Sequence, residues 1–159
     1  MSIENQILLK ENSEPGILRL IMNDPNRKNA LSENMIDALT DAVASSSEDK
    51  SIKVIIIAAN GNVFSSGHDL KELTLARDHE DDGNSYFMKL FDVCSSLMQS
   101  IVDCPKPIIA EVNGVATAAG CQLVASCDLA ISSNNSKFAT PGVNLGLFCS
   151  TPMVALSRN

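Results

Sequence analysis

No apolar run in the sequence is long enough to cross a bilayer, which takes about 20 residues. The longest, Val54-Ile55-Ile56-Ile57-Ala58-Ala59, has the length of a strand. Positive charge is sparse: 12 Lys and Arg stand against 19 Asp and Glu, for a formal net charge of -7. That balance argues against a nucleic-acid surface. Histidine occurs only as His68 and His79, and no cluster has metal-ligand spacing, so no metal is expected. A P-loop and a dinucleotide fingerprint are both missing. No internal repeat is evident. The five cysteines (Cys94, Cys104, Cys121, Cys127 and Cys149) are odd in number and form no C-x-x-C pair, which is the usage of reduced thiols in a reducing compartment. Met1 to Glu14 has neither the apolar core of a secretion signal nor the Arg-rich, acid-poor character of a mitochondrial transit peptide. The protein is therefore expected in the cytoplasm, or its presequence lies outside this chain.

What is present suits one globular domain over residues 1–159, with 45% hydrophobic and 19% charged residues. Ile7 to Lys10 and Gly16 to Met22 read as strands of a hairpin turning at Glu14-Pro15-Gly16. Asn23 to Ala30 is a polar loop. Ser32 is placed to cap a helix whose apolar positions are Met35, Ile36, Leu39, Ala42 and Val43, ending within Ser45 to Lys50. Val54 to Ala59 is β-branched without alternation, the pattern of a parallel strand covered on both faces. A loop from Asn60 to His68 leads into Asp69-Leu70-Lys71-Glu72-Leu73. Residues 76–85 are acidic and read as a mobile surface loop, with His79 solvated in it. Phe87, Leu90, Phe91, Cys94, Leu97, Met98 and Ile101 form a second helical stripe, broken at Cys104-Pro105-Lys106-Pro107. Ile108 to Val112 is a second buried strand, Asn113-Gly114 a turn, and Ala116 to Gly120 the opening of a helix. Leu129 to Ser132 and Lys137 to Ala139 are further strands. Asp128 is expected to hydrogen-bond structurally at a strand entry.

Two segments share one layout of buried strand, small-residue turn and helix start: Val54–Ala59 followed by Phe64 to Leu70, and Ile108–Val112 followed by Asn113 to Cys121. In a parallel sheet such turns fall at the carboxyl ends of the strands, where ligands bind. The first N–H groups of a helix lack internal partners and sit at the positive end of its dipole. Two of them converging on one point make an oxyanion hole, each donor worth about 2.7–4 kcal/mol to a transition state developing negative oxygen. The same small residues equally serve tight helix–strand packing, and spacing alone leaves both readings open.

The residues themselves carry a likeness. Phe64-Ser65-Ser66-Gly67-His68-Asp69-Leu70-Lys71-Glu72-Leu73 resembles the segment of the crotonase (enoyl-CoA hydratase/isomerase) family that leads to its first oxyanion donor. Pro107 to Ala116, Gly120-Cys121-Gln122-Leu123 and Cys127-Asp128-Leu129-Ala130 resemble the segment with the second donor. Arg27-Lys28-Asn29-Ala30-Leu31-Ser32 resembles the stretch beside the coenzyme A moiety. Phe138-Ala139-Thr140-Pro141 with Asn144-Leu145-Gly146 resembles a fourth block.

The resemblance implies an α/β fold with a ββα spiral core, lacking the family's C-terminal helical region. That lack would leave apolar faces exposed and alter oligomerisation. It implies an acyl-CoA thioester as ligand and no other cofactor, and a trimer-based homo-oligomer for the full-length fold. A mitochondrial location follows from the members most alike. It also implies backbone donors at His68 and Ala119, with Asp69, Leu70 and Lys71 lining the site and Lys28 and Ala30 flanking coenzyme A.

The two glutamates of the family's hydratases fall at Gln122 and Gly142, so general acid–base hydration is expected to be feeble. Gly67-His68-Asp69, together with Thr140-Pro141 and Val143 to Gly146, is similar to methylmalonyl-CoA decarboxylases of the same superfamily. That implies a decarboxylase using His68 as an alternative, and a non-catalytic acyl-CoA binder as a third reading. Asp69 and Glu72 are read as supporting the start of a short helix rather than as catalytic acids.

Overall fold

Pro15 and Gly16 turn the chain between β1 (Leu8–Glu14) and β2 (Ile17–Met22), with Gly16 at φ +86, a conformation that favours glycine. The strands pair antiparallel from Leu8↔Met22 to Glu14↔Ile17, with a register irregularity between Glu11 and Glu14. This computed structural model describes residues 6–146 and 148–158. Helix α1 (Glu33–Glu48) follows, and its start is capped as expected: the Ser32 hydroxyl accepts from the Met35 N–H at 3.3 Å. The helix runs on through Ser45, Ser46 and Ser47, whose hydroxyls donate to carbonyls three or four residues back.

Strand β3 (Val54–Ala59) pairs parallel with β2, and β5 (Ile108–Val112) pairs parallel with β3. Strand β7 (Leu129–Ser132) completes a five-stranded sheet in the order β1-β2-β3-β5-β7. The expectation that β3 is covered on both faces holds for one face only. Ile55 and Ile57 are fully buried, whereas Val54 and Ile56 are half-buried. On the inner face, Leu20, Met22, Ile55, Ile57 and Ile108 meet the apolar stripes of α1 and of α3 (Asn84–Val102). The outer face carries Arg19, ion-paired to Glu11 at 3.1 Å and to Glu111 at 2.7 Å. These partly exposed pairs contribute about 0–1 kcal/mol each.

A second sheet corrects the sequence reading. The loop expected over Asn60–His68 contains β4 (Val63–Ser65). The helix expected to open at Ala116 is preceded by β6 (Val115–Thr117) and begins only at Ala119, as α4 (Ala119–Ser126). With β8 (Lys137–Ala139) these make a parallel sheet in the order β4-β6-β8. Each successive unit thus sends one strand to each sheet and then a helix: β3-β4-α2 (Leu70–Ala76), β5-β6-α4, and β7-β8-α5 (Ser150–Leu156). This is the α/β, ββα spiral architecture expected. The acidic stretch is a series of hydrogen-bonded turns between α2 and α3, with His79 exposed.

Asp128 does enter β7 with a structural bond, its carboxylate accepting from the Ile108 N–H at 2.7 Å. Strands β7 and β8 are exposed along their lengths, including Leu129, Ile131 and Phe138. All five cysteines are unpaired, and burial pushes the Cys94 thiol up to about 11 and that of Cys127 to about 12. Among the described residues, no helix is long and apolar enough to cross a membrane.

Candidate functional site

The two candidate donors follow β4 and β6, not β3 and β5 directly as the sequence suggested. β4 and β6 are paired parallel, Val63↔Val115 and Ser65↔Ala116, so the chain leaves both strands side by side. Gly67 and Gly120 close the space between the two exits. A Cβ built on Gly67 would lie 2.9 Å from the Ala118 Cβ and 3.2 Å from the Ala119 nitrogen. One on Gly120 would lie 2.6 Å from the Ser65 carbonyl oxygen. The residue preceding His68 therefore packs so closely on the Ala118–Ala119 backbone that only glycine fits there.

Ala118 adopts φ 53 and ψ -125, a conformation costing a non-glycine residue about 1–3 kcal/mol. It is held there from several sides. Its N–H donates to Ala139 at 2.9 Å, and its carbonyl accepts from Cys121 and Gln122 at 3.0 and 3.1 Å. Ala119, as the first residue of α4, has no intrahelical acceptor for its N–H. Among the described residues, neither its amide nor that of His68 finds an acceptor.

The His68 side chain lies against α3, edge-on to the half-exposed ring of Phe91, with centroids 5.4 Å apart. Its Nδ1 is buried with no hydrogen-bond partner. Burial pushes the imidazole pKa down, and the Leu31 backbone opposes this without making a well-formed hydrogen bond to Nδ1. At neutral pH the ring is uncharged. The sign of the pH dependence follows. The unfolded imidazole takes up a proton near its ordinary value of about 6.5, while the folded one resists until lower pH. Stability from this group is present above about pH 6.5 and is lost as pH falls toward the depressed folded value. Urea titrations at pH 7.5 and 5.5 are expected to show a loss at the lower pH that shrinks in His68→Gln.

Gln122 lies one turn into α4 and lines a cavity of about 390 Å³ between α3, α4 and α5, with Met98 and Val102 among its apolar walls. Ser95, in the same cavity, is one turn along α3 from Phe91, so one face of α3 leads from His68 to Gln122. Gly142 lies in the 3₁₀ turn Pro141–Leu145 that precedes α5.

The loop over residues 23–32 buttresses the turn that carries His68. Leu31 N–H donates to the Gly67 carbonyl at 2.8 Å, and Ser66 N–H donates to that of Lys28 at 3.1 Å. Lys28 itself is exposed and in the left-handed region at φ 57, while Ala30 is buried. Asn29, also left-handed at φ 47, is fully buried. Its amide donates to Asn60 and Val63 carbonyls at 2.8 Å each, and its oxygen accepts from Asp24 N–H at 2.8 Å. Sequence reading gave Asn29 no such role; its position in a polar loop looked like solvent exposure. Asn29→Ala is expected to cost about 2–4 kcal/mol, because three buried backbone groups lose partners, read as a lowered urea midpoint.

Asp69 is buried and committed. One oxygen caps α2 by accepting from Lys71 N–H at 2.8 Å, and the other pairs with Arg27. Burial opposes its charge, but Arg27 and the Lys71 and Glu72 amides outweigh that and hold its pKa below the ordinary value. Arg27 also reaches Glu72 at 3.4 Å, and Glu72 accepts from the Glu33 N–H at the start of α1 at 3.1 Å. Asp69 thus supports the start of the short helix α2 as expected, whereas Glu72, in the first turn of α2, hydrogen-bonds to the start of α1 instead. Leu70 and Lys71 are exposed on α2 beside this network.

The family pattern described as enoyl-CoA hydratase/isomerase matches residues 12–158. Enoyl-CoA hydratase domain-containing protein 3, mitochondrial, of Xenopus laevis is 57% identical over 145 residues, 91% of this chain and 48% of that protein. Its human counterpart is 53% identical over 143 residues, 90% of this chain and 46% of that one. The crystal structure of human enoyl coenzyme A hydratase domain-containing protein 3 superimposes with a TM-score of 0.86 at 49% identity, covering 96% of this chain and 58% of that one. An enoyl-CoA hydratase from Mycobacterium smegmatis gives 0.89 at 48% identity, covering 98% and 58%. The chain spans about half the length of the curated relatives it matches. The strand-by-strand spiral and these matches agree: the chain belongs to the enoyl-CoA hydratase/isomerase family.

Proposed function

We propose that this chain binds acyl-CoA thioesters of fatty-acyl metabolism and receives the thioester oxygen on the N–H groups of His68 and Ala119. The observation that carries this reading is the parallel pairing of β4 and β6, with Gly67 packed so closely on the Ala118–Ala119 backbone that an added Cβ would lie 3.2 Å from the Ala119 nitrogen, so that two amides without acceptors stand at adjoining strand exits. Such a pair stabilises an enolate or a tetrahedral oxyanion without help from an ionisable side chain. Lys28 and Ala30 flank the coenzyme A moiety and Asp69 to Lys71 line the approach to the thioester. The two relatives' mitochondrial names support the same location for this protein.

Hydration of an enoyl group needs carboxylates that hold water and move a proton, a contribution of about 10²–10⁴-fold. Gln122 holds water without accepting a proton, and Gly142 has no side chain. Saturable binding of crotonyl-CoA by calorimetry is expected, with hydration at least about 100-fold slower than in a two-glutamate relative. Absence of binding would overturn the thioester reading. Hydration as fast as such a relative, lost in Gln122→Ala, would overturn the reading of feeble turnover. Decarboxylation is favoured as a second reading by the buried, unpartnered Nδ1 of His68, since it asks mainly for enolate stabilisation. Product formation from methylmalonyl-CoA separates it from simple thioester binding.

A further inference from the structure

We infer that the cavity between α3, α4 and α5 receives the far end of an acyl group that carries a carboxylate, with Arg158 as its counter-ion and the amides of Gln99 and Gln122 as donors. This rests on the thioester reading above. The cavity holds about 390 Å³, within the usual range for small-ligand sites. Its polar lining is rich in donors. Besides Arg158 it presents Gln99, Gln122, Ser95 and Thr151. Among the described residues, neither glutamine side-chain amide has a hydrogen-bond partner and Arg158 forms no ion pair. Asp128 also lines the cavity; one of its oxygens accepts from the Ile108 N–H at 2.7 Å, and its charge opposes a second carboxylate, so the attraction rests on Arg158 and the two amides.

Position along α4 sets the length of the ligand. At 1.5 Å per residue, Gln122 lies about 4.5 Å and Ala125 about 9 Å beyond the Ala119 amide along the helix axis. A chain of roughly four to seven carbons, at about 1.5 Å per bond, spans that interval from a thioester carbonyl held at Ala119. The identity of residue 122 then acquires a second meaning. A glutamate there would repel an incoming carboxylate, whereas a glutamine amide donates to it. Arg158 adds a planar donor fork suited to a carboxylate.

The test compares succinyl-CoA with butyryl-CoA, which have equal chain lengths and differ in the terminal carboxylate. Calorimetry on the whole chain is expected to give succinyl-CoA about tenfold tighter binding, the scale of one charge-assisted hydrogen bond. Arg158→Gln should remove most of that preference, and Arg158→Lys should retain more of it. Equal affinities in the unsubstituted protein would overturn the inference and leave the thioester reading standing. A preference undiminished in Arg158→Gln would overturn it as well. If neither thioester binds, both the inference and the reading beneath it fall.

Discussion

Gly67→Ala is expected to abolish measurable thioester binding and to lower stability by about 2–4 kcal/mol. Two costs combine. The residue sits at φ +87, where a side chain is strained whatever the space around it. The new methyl group would also lie 2.9 Å from the Ala118 Cβ and 3.2 Å from both the Ala119 nitrogen and the Thr117 carbonyl oxygen. Those last two are backbone atoms, so relief requires the β4 and β6 exits to separate. Separation moves the His68 amide away from the Ala119 amide, and a donor displaced from its acceptor loses most of its contribution. Gly16→Ala is the control. It has nearly the same φ, +86, but its nearest neighbours are side-chain carbons of Lys53 at 3.4 Å, which can move. It should cost only the backbone strain, about 1 kcal/mol or slightly more, and leave binding intact. Urea titration and calorimetry on the pair read both effects. Gly67→Ala that binds crotonyl-CoA as the unsubstituted protein does would show that the two amides do not act together.

Restoring two carboxylates should create hydration. Gln122→Glu with Gly142→Glu is expected to raise crotonyl-CoA hydration by about 100-fold or more, the contribution of a positioned general acid–base pair. The single Gln122→Glu should gain much less, because water must be activated on one side and a proton delivered on the other. Gln122 is half-buried in its cavity and keeps its place on α4 in either variant. Gly142 lies in the 3₁₀ turn that precedes α5 and is half-buried there. Loss of the enoyl absorbance measures the rate. A double variant that binds crotonyl-CoA yet stays as slow as the parent would mean that geometry, not the missing carboxylates, limits the reaction.

Long elements were legible in the sequence because their burial patterns repeat. Met35, Ile36, Leu39, Ala42 and Val43 give α1 by spacing, and the Ser32 cap gives its start. The same holds for the stripe of α3 and for β2, β3 and β5. Gly67, Gly120 and the small residues around Ala119 marked two tight turns at strand exits, which the structure places side by side. The short strands β4 and β6 left no such trace. Three residues are too few for a period, and Val115-Ala116-Thr117 reads as readily as a turn or a helix start.

Asn29 was hidden for a different reason. A polar residue in a polar loop looks solvated until the carbonyls of Asn60 and Val63 and the amide of Asp24 close around it. The contacts of His68 with Phe91 and of Arg27 with Asp69 join residues far apart in the chain, and no local pattern records them. Residue chemistry along the chain determined that there are two amide-rich turns and that positions 122 and 142 cannot move a proton. Only the tertiary structure decided that those turns adjoin and that Gln122 faces a cavity shared with Gln99 and Arg158. Burial periodicity is a one-dimensional property, whereas convergence of distant backbone segments depends on how the two sheets pair.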